Sequence, residues 1–264
     1  SGRGIPADQL WTSELEAEPL PAALVPNYRS DWYGLASGLP RGPHRGMPHV
    51  ANAFAVQSFI DEIAHALRED PLTTQLRLLG EPRRLPLADG RTLDTGRLAN
   101  VLRLVAERIG WKHWLRSING LGIAVWQVGD ACVAHAIEVA VEGETLDIVR
   151  AVCAVDVGQV VNPRGLENQV QGATLDALGS ALNLAITVRD GVPQQKNWKD
   201  YPLARMAQLP HEVEVIVVPG DRPPTGASSL AMPTAAPALA NAVFRASAVR
   251  VRRLPLMKEW LRLL

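Results

Sequence analysis

Residues 122–128, 132–142 and 146–155 form three apolar runs rich in β-branched side chains, with only Gly129-Asp130 and Gly143-Glu144 as joints. Alternation with a period of two makes each run a strand. Joints this short leave consecutive strands only antiparallel pairing, so the centre of the chain is a meander. Whatever lies before and after it must cover its faces.

Helical spacing supplies that cover. Phe54, Val56, Phe59, Ile60, Ile63, Ala64 and Leu67 recur on one helix over 52–69, with Pro71 just beyond as a stop. A second helix fits 94–109, capped by Asp94 or Thr95 and closed by Gly110. Leu166, Val170, Ala173, Leu175, Leu178 and Leu182 place a third over 165–184, and a last helix covers 235–248. Strands are expected at 184–189 and 213–218, with Asp190-Gly191 turning after the first, and Pro255 ends a short extended segment. The first 50 residues allow a polar helical turn at 7–18. The rest of that stretch reads as ordered loop, because Trp11, Tyr28, Trp32 and Tyr33 need packing partners. The predicted fold class is α+β, with mixed sheets and helices packed on them. It divides into a loop-rich segment 1–118 with two helices, suited to docking on a partner chain, and an α+β domain at 119–264.

Composition excludes several functions. Twenty-seven basic residues balance 27 acidic ones, which argues against a nucleic-acid-binding face. Arg250, Arg252 and Arg253 are too few to reverse that. A hydrophobic content of 47% excludes intrinsic disorder, and no apolar run reaches membrane-spanning length. Cys132 and Cys153 lie inside apolar strands and read as buried thiols, without a disulfide framework or metal spacing. His44 and His49 flank a Gly/Pro loop but have no third ligand, so no metal site is assigned.

Local wording goes further. The words Ala151-Val-Cys-Ala-Val-Asp-Val-Gly-Gln-Val-Val-Asn-Pro163, Gln169-Val-Gln-Gly-Ala173, Asn197-Trp-Lys-Asp-Tyr-Pro-Leu-Ala-Arg-Met206 and Ala236-Pro-Ala-Leu-Ala-Asn-Ala-Val-Phe244 occur in that order. Arg45-Gly-Met-Pro-His-Val-Ala-Asn-Ala-Phe54 precedes them and leads into Ser58-Phe-Ile-Asp-Glu-Ile-Ala-His65. Together they resemble the molybdopterin-binding large subunits of the xanthine dehydrogenase and aldehyde oxidase family, of the isoquinoline 1-oxidoreductase type, and correspond to their C-terminal part. The resemblance implies hydroxylation of an aldehyde or N-heterocycle at a molybdopterin-type molybdenum cofactor, with oxygen from water and electrons passed to an iron–sulfur subunit. It implies that Gln171 and Gly172 lie beside the pterin. Arg45 stands where the family's substrate-side arginine would orient a carbonyl or oxyanion.

Read from the residues alone, these positions have plainer uses. Asp156-Val-Gly158 also fits a strand-end turn with Asn162-Pro163 opening the next helix. Gln171 fits a helix-face amide, and Arg45 a loop-stapling residue.

Two departures from the family pattern stand out. The family's catalytic glutamate, counted back from Ala236, falls on Ser229, and no Asp or Glu lies in 223–243. A hydroxyl cannot take a proton as a carboxylate does near neutral pH. Ala173 and Ala231 also replace usual glycines. Moreover, the glycine-rich cofactor words that precede this region in relatives are absent from the 264 residues, implying a partner chain that carries the N-terminal half. An alternative is a molybdenum-free scaffold in which Ser1 acts as an N-terminal nucleophile of an autoprocessed amide or ester hydrolase, its α-amine serving as base. The molybdenum cofactor is then absent. A small-molecule substrate follows from either reading, and both cytoplasm and periplasm remain compatible.

Overall fold

In the computed structural model, residues 20–34, 44–87, 90–111, 119–143 and 145–257 are described. The meander is present as β3 (Gly120–Val128), β4 (Ala131–Glu142) and β5 (Thr145–Asp156), paired antiparallel in that order. β8 (Val213–Val217) joins β5 in parallel, so the four-stranded sheet is mixed and runs β3-β4-β5-β8. The parallel pairing requires a crossover, and α4 (Pro163–Asn183) lies within it.

Both faces of the sheet are covered. α3 (Thr95–Ile109) packs on β4 and β5, where Arg150 of β5 pairs with Glu138 of β4 and donates to the carbonyl of Ile109. His135 of β4 faces the other way, toward α4 and α5 (Met232–Ser247), as alternation along a strand requires. α1 (His49–Leu67) packs against α5. One continuous apolar core therefore draws on residues both before and after position 118, among them Ala53, Leu98, Leu102, Ile123, Val155 and Leu239.

The Ala-rich wording of α5 has a steric cause. A Cβ on Gly122 of β3 would run into the Ala238 carbonyl and the Ala242 amide, and one on Gly120 into the Ala242 carbonyl. Helix backbone and strand backbone touch there, which only glycine facing small side chains permits. The approach also covers the free edge of β3. The amide N–H of Val125 donates to Gln57 Oε1 of α1 at 3.1 Å, and Asn241 Nδ2 of α5 donates to the Ile123 carbonyl at 3.3 Å. Side-chain amides thus occupy outward backbone groups that would otherwise invite another strand.

Several expectations need correction. Pro71 does not merely stop α1. It is the first residue of α2 (Pro71–Leu79), capped by Asp70, whose carboxylate accepts from the amides of Leu72 and Thr73. A short hairpin of β1 (Arg84–Pro86) and β2 (Thr92–Asp94) went unanticipated. The strand expected at 184–189 shrinks to β6 (Val188–Arg189), paired with β7 (Val192–Pro193) around Asp190 and Gly191. Both turn residues have positive φ, the requirement of such a tight hairpin. α5 starts at Met232, earlier than expected, because Pro233 is favourable in a first helical turn. Tyr28 and Tyr33 are exposed rather than packed into the core, at 45% and 81%. Trp11 and the expected turn at 7–18 lie outside the described residues. α3 matches its expected bounds, with Asp94 accepting from the Arg97 amide and Gly110 left-handed at the end.

Candidate functional site

Helix α4 opens on Asn162, whose Oδ1 accepts from the Gly165 amide at 3.0 Å, with Pro163 fixing the first turn. Asp156 ends β5, and Gly158 turns the chain with φ +73°. A side chain on Gly158 would strike the carbonyls of Arg222 and Pro223. That contact is the other half of a small ladder, in which Gln159 N–H donates to Arg222 and Thr225 N–H to Val157. The Asp156-Val-Gly158 word is therefore a strand-end turn, and it fixes where α4 begins.

Along α4, Gln169, Gly172 and Asp176 follow helical spacing on one face. Arg45, from the loop before α1, reaches this face. Its Nη1 donates to Asp176 at 3.1 Å, and its Nη2 approaches Gln169 Oε1 at 3.5 Å. Nε and Nη2 both donate to the carbonyl of Ser228, at 3.0 and 2.6 Å. Arg45 thus ties the turn before α5 onto α4. One Nη1 hydrogen is left for any other acceptor.

Ser229 sits in that turn, half-buried, and its carbonyl accepts from the Met232 amide at 3.1 Å as α5 begins. Arg45 and the Ser228–Ser229 turn are therefore brought onto the α4 face that also carries Gly172. Gly172 is exposed, and nothing lies within 4 Å of the place a Cβ would take. Gln171 is on a different side of α4, where its Nε2 donates to the Val213 carbonyl at 3.2 Å and leaves Oε1 as an acceptor. Ser1 lies outside the described residues. His44 Nδ1 lies 3.1 Å from the carbonyl of Arg45, and Trp126 Nε1 donates to His49 Nδ1 at 3.4 Å. Among the described residues, no group of three or more His, Cys, Asp or Glu could hold a metal ion.

The sequence reading passed over the residue that fixes the spacing of α4 and α5. His135 is fully buried, with Nδ1 2.6 Å from Thr234 Oγ1 of α5 and Nε2 2.9 Å from Thr174 Oγ1 of α4. Thr174 donates its one hydroxyl hydrogen to the Val170 carbonyl at 2.8 Å. Nε2 must then carry the proton and donate to Thr174, while Nδ1 accepts from Thr234. Burial pushes the imidazole down to a pKa of about 3, so it stays neutral. The only signal in the sequence was a lone polar residue in an apolar strand.

Comparison with known proteins shows what this arrangement resembles. The molybdopterin cofactor-binding domain family matches residues 123–210. The beta subunit of isoquinoline 1-oxidoreductase from Brevundimonas diminuta is 33% identical over 217 residues, which is 80% of this chain and 26% of the relative. One nicotinate dehydrogenase subunit, from Pseudomonas putida, is 29% identical over 238 residues, covering 83% of this chain and 19% of the relative. By the domain match and these relatives the chain is similar to the molybdopterin-binding large subunits of the xanthine dehydrogenase and aldehyde oxidase family. It spans about a quarter or less of the length of these curated relatives.

Solved molybdenum hydroxylases share its fold. Quinoline 2-oxidoreductase from Pseudomonas putida 86 superposes with a TM-score of 0.74 at 13% identity, over 84% of this chain and 53% of that one. Aldehyde oxidoreductase from Desulfovibrio gigas gives 0.67 at 12% identity, over 83% and 41%.

The face of α4 that carries Gly172 has the open backbone and the polar rim that a polar group such as a pterin would need. The open backbone at Gly172 allows close approach and an Nη1 hydrogen of Arg45 remains to pair on that face, whereas Gln171 is turned toward β8 and is not part of it. Ser229, half-buried in the turn before α5, adds a hydroxyl next to the Arg45-bound Ser228 carbonyl.

Proposed function

We propose that this chain supplies one wall of the cofactor and substrate site of a molybdenum-hydroxylase-like oxidoreductase acting on an aldehyde or N-heterocycle. In this reading further large-subunit sequence completes the site, and an iron–sulfur subunit receives the electrons. The observation that carries the reading is the meeting of the open Gly172 face of α4 with the Arg45-tied turn that holds Ser229.

A molybdopterin-type cofactor bound against that face supplies the redox chemistry of hydroxylation. The chain's own residues do the positioning. Arg45 fixes the Ser228–Ser229 turn and can offer its last Nη1 hydrogen to a substrate carbonyl. Gly172 would let the group come close to the helix, since nothing stands where its side chain would be. His135 holds α4 and α5 at a fixed separation without carrying charge.

The Ser229 hydroxyl can orient a water molecule but cannot hold its proton near neutral pH. Proton removal then falls to another group, and slow hydroxylation follows. Asp176, paired to Arg45 beside the same turn, is a carboxylate within this cluster.

Molybdenum and pterin analysis of the isolated complex tests the reading. Close to one of each per chain is expected, and their absence overturns it. Ser229→Glu should leave molybdenum content unchanged and raise turnover of an aldehyde or N-heterocycle by about a hundredfold or more, the usual contribution of a placed base. No change on that substitution would remove Ser229 from the reaction.

A further inference from the structure

Between α4 and β8 the chain makes a long excursion over residues 184–210 that contributes little to the core. Its shape is set by short-range polar bonds. The Thr187 amide donates to Gln195 Oε1 at 2.7 Å, Gln194 N–H to the Thr187 carbonyl, and Lys196 N–H to Asp200. Two single-turn 3-10 segments follow, Trp198–Asp200 and Met206–Gln208, the second closed by the Arg205 amide donating to Gln208 Oε1. None of these bonds buries the large apolar side chains.

Those side chains point to water. Trp198 is 78% exposed, Leu203 57% and Met206 92%, with Ile186 and Val192 also at least half exposed. Single exposed apolar residues are ordinary, but this many on one preformed arm mark a surface made for another protein. Trp and Met are also residue types enriched where proteins meet.

The arm is rooted on the candidate site. Gly172, Asp176, Gly179 and Asn183 follow one another along a single face of α4. The first two belong to the open cofactor face. A Cβ on Gly179 would sit 3.2 Å from Ala204 Cβ of the arm, and Asn183 Nδ2 approaches Gln208 Oε1 at 3.5 Å. Whatever covers the arm therefore stands next to Gly172 and the Arg45 staple.

We infer that the 184–210 arm, through Trp198, Leu203 and Met206, is the docking surface for the remainder of the molybdopterin-binding large subunit, which closes the cofactor face of α4 as it seats. This rests on reading the chain as one part of such a subunit. The occupant follows from length, because matched relatives carry roughly three quarters or more of their sequence beyond the region this chain spans. Charge sets its character. Arg189, Lys196, Lys199 and Arg205 outnumber Asp190 and Asp200 on the arm, so the facing surface is apolar with an acidic rim.

Photo-crosslinking in the complex purified from its native cells tests this, with p-benzoylphenylalanine placed at Trp198 or Met206 and, as control, at the exposed Asp147 of β5. Crosslinks from the arm, and not from the control, should reach peptides of molybdopterin-binding large-subunit sequence outside residues 1–264. This holds whether that sequence continues the same polypeptide or forms another. Leu203→Glu combined with Met206→Glu should lower the yield from Trp198 by about tenfold, with unchanged circular dichroism. Crosslinks confined to a second copy of residues 1–264, crosslinks to an iron–sulfur protein, or none at all would overturn the inference. Molybdenum measured on the same sample separates the two readings. Metal without crosslinks sinks the docking surface alone, whereas crosslinks without metal sink the proposed chemistry and leave the surface standing.

Discussion

Nε of Arg97 lies 2.7 Å from one carboxylate oxygen of Asp156 and Nη2 lies 2.6 Å from the other. This fork joins the first turn of α3 to the last residue of β5, with both side chains nearly buried. Arg97 also donates to the carbonyls of Asp130 and Asp156, at 2.6 and 3.0 Å. Burial alone would raise the Asp156 carboxyl, but the hydrogen bonds and charge of Arg97 outweigh it and hold the group below the usual carboxylate range.

Removing one partner should therefore be costly. Among the described residues, Arg97→Met leaves the nearly buried Asp156 carboxylate with only the Gly158 amide as donor and is expected to cost about 3 kcal/mol in urea unfolding. Arg97→Met combined with Asp156→Leu should recover most of that loss. Because Asp156 is depressed in the folded state, its contribution is complete above the unfolded value of about 3.9. It disappears as pH falls through the lower folded value. Wild type should thus lose its advantage over the double variant only in strong acid.

His135 predicts a pH dependence in a milder range. Its folded pKa of about 3 lies below the unfolded value of about 6.5. The unfolded chain therefore binds the proton first, and stability falls as pH drops from 6.5 toward 3. The slope approaches about 1.4 kcal/mol per pH unit. His135→Gln should unfold more easily at pH 7.5 but with a shallower slope, so the two curves converge near pH 5. Parallel curves would show that the ring does not titrate between these states.

Two glycines should respond in opposite ways. Gly122→Ala forces β3 away from α5, where the added methyl would meet helix backbone. A loss of at least about 1–3 kcal/mol is expected. Gly172→Ala meets nothing and lies mid-helix, so thermal stability should rise slightly, by about 0.5–1 kcal/mol. If α4 holds the pterin, the same substitution should lower molybdenum content despite the stabler fold. Differential scanning calorimetry and metal analysis on both variants provide the check.

Cys132 and Cys153 should be silent toward thiol reagents at pH 8 until the chain is unfolded. Burial raises Cys132 to about 12 and raises Cys153 as well, leaving almost no thiolate. Titration with a chromogenic disulfide should release colour only in denaturant. Rapid reaction in buffer would show that the β4–β5 region opens.

Much of this protein was legible in its sequence because the signals are local. Strand alternation and Gly-centred turns defined the meander, and caps such as Asp94 and Asn162 defined where helices begin. A ten-residue window contains all of that information. The word order from Arg45 to Phe244 likewise carried the family resemblance, since it reflects ancestry and not packing.

Long-range geometry was not legible in that way. Nothing near Arg45 in sequence announces that its guanidinium closes on Ser228 and Asp176, more than a hundred residues away. No local pattern assigns partners to His135, Gln57 or Asn241; the fold supplies hydroxyls for the first and the bare edge of β3 for the others. The sequence by itself determined the central meander, the main helices and the family resemblance, while the short α2 and the β1–β2 hairpin emerged only in the fold. Tertiary structure alone decided which polar groups meet, because a buried donor or acceptor is satisfied only by what the whole fold brings within about 3 Å.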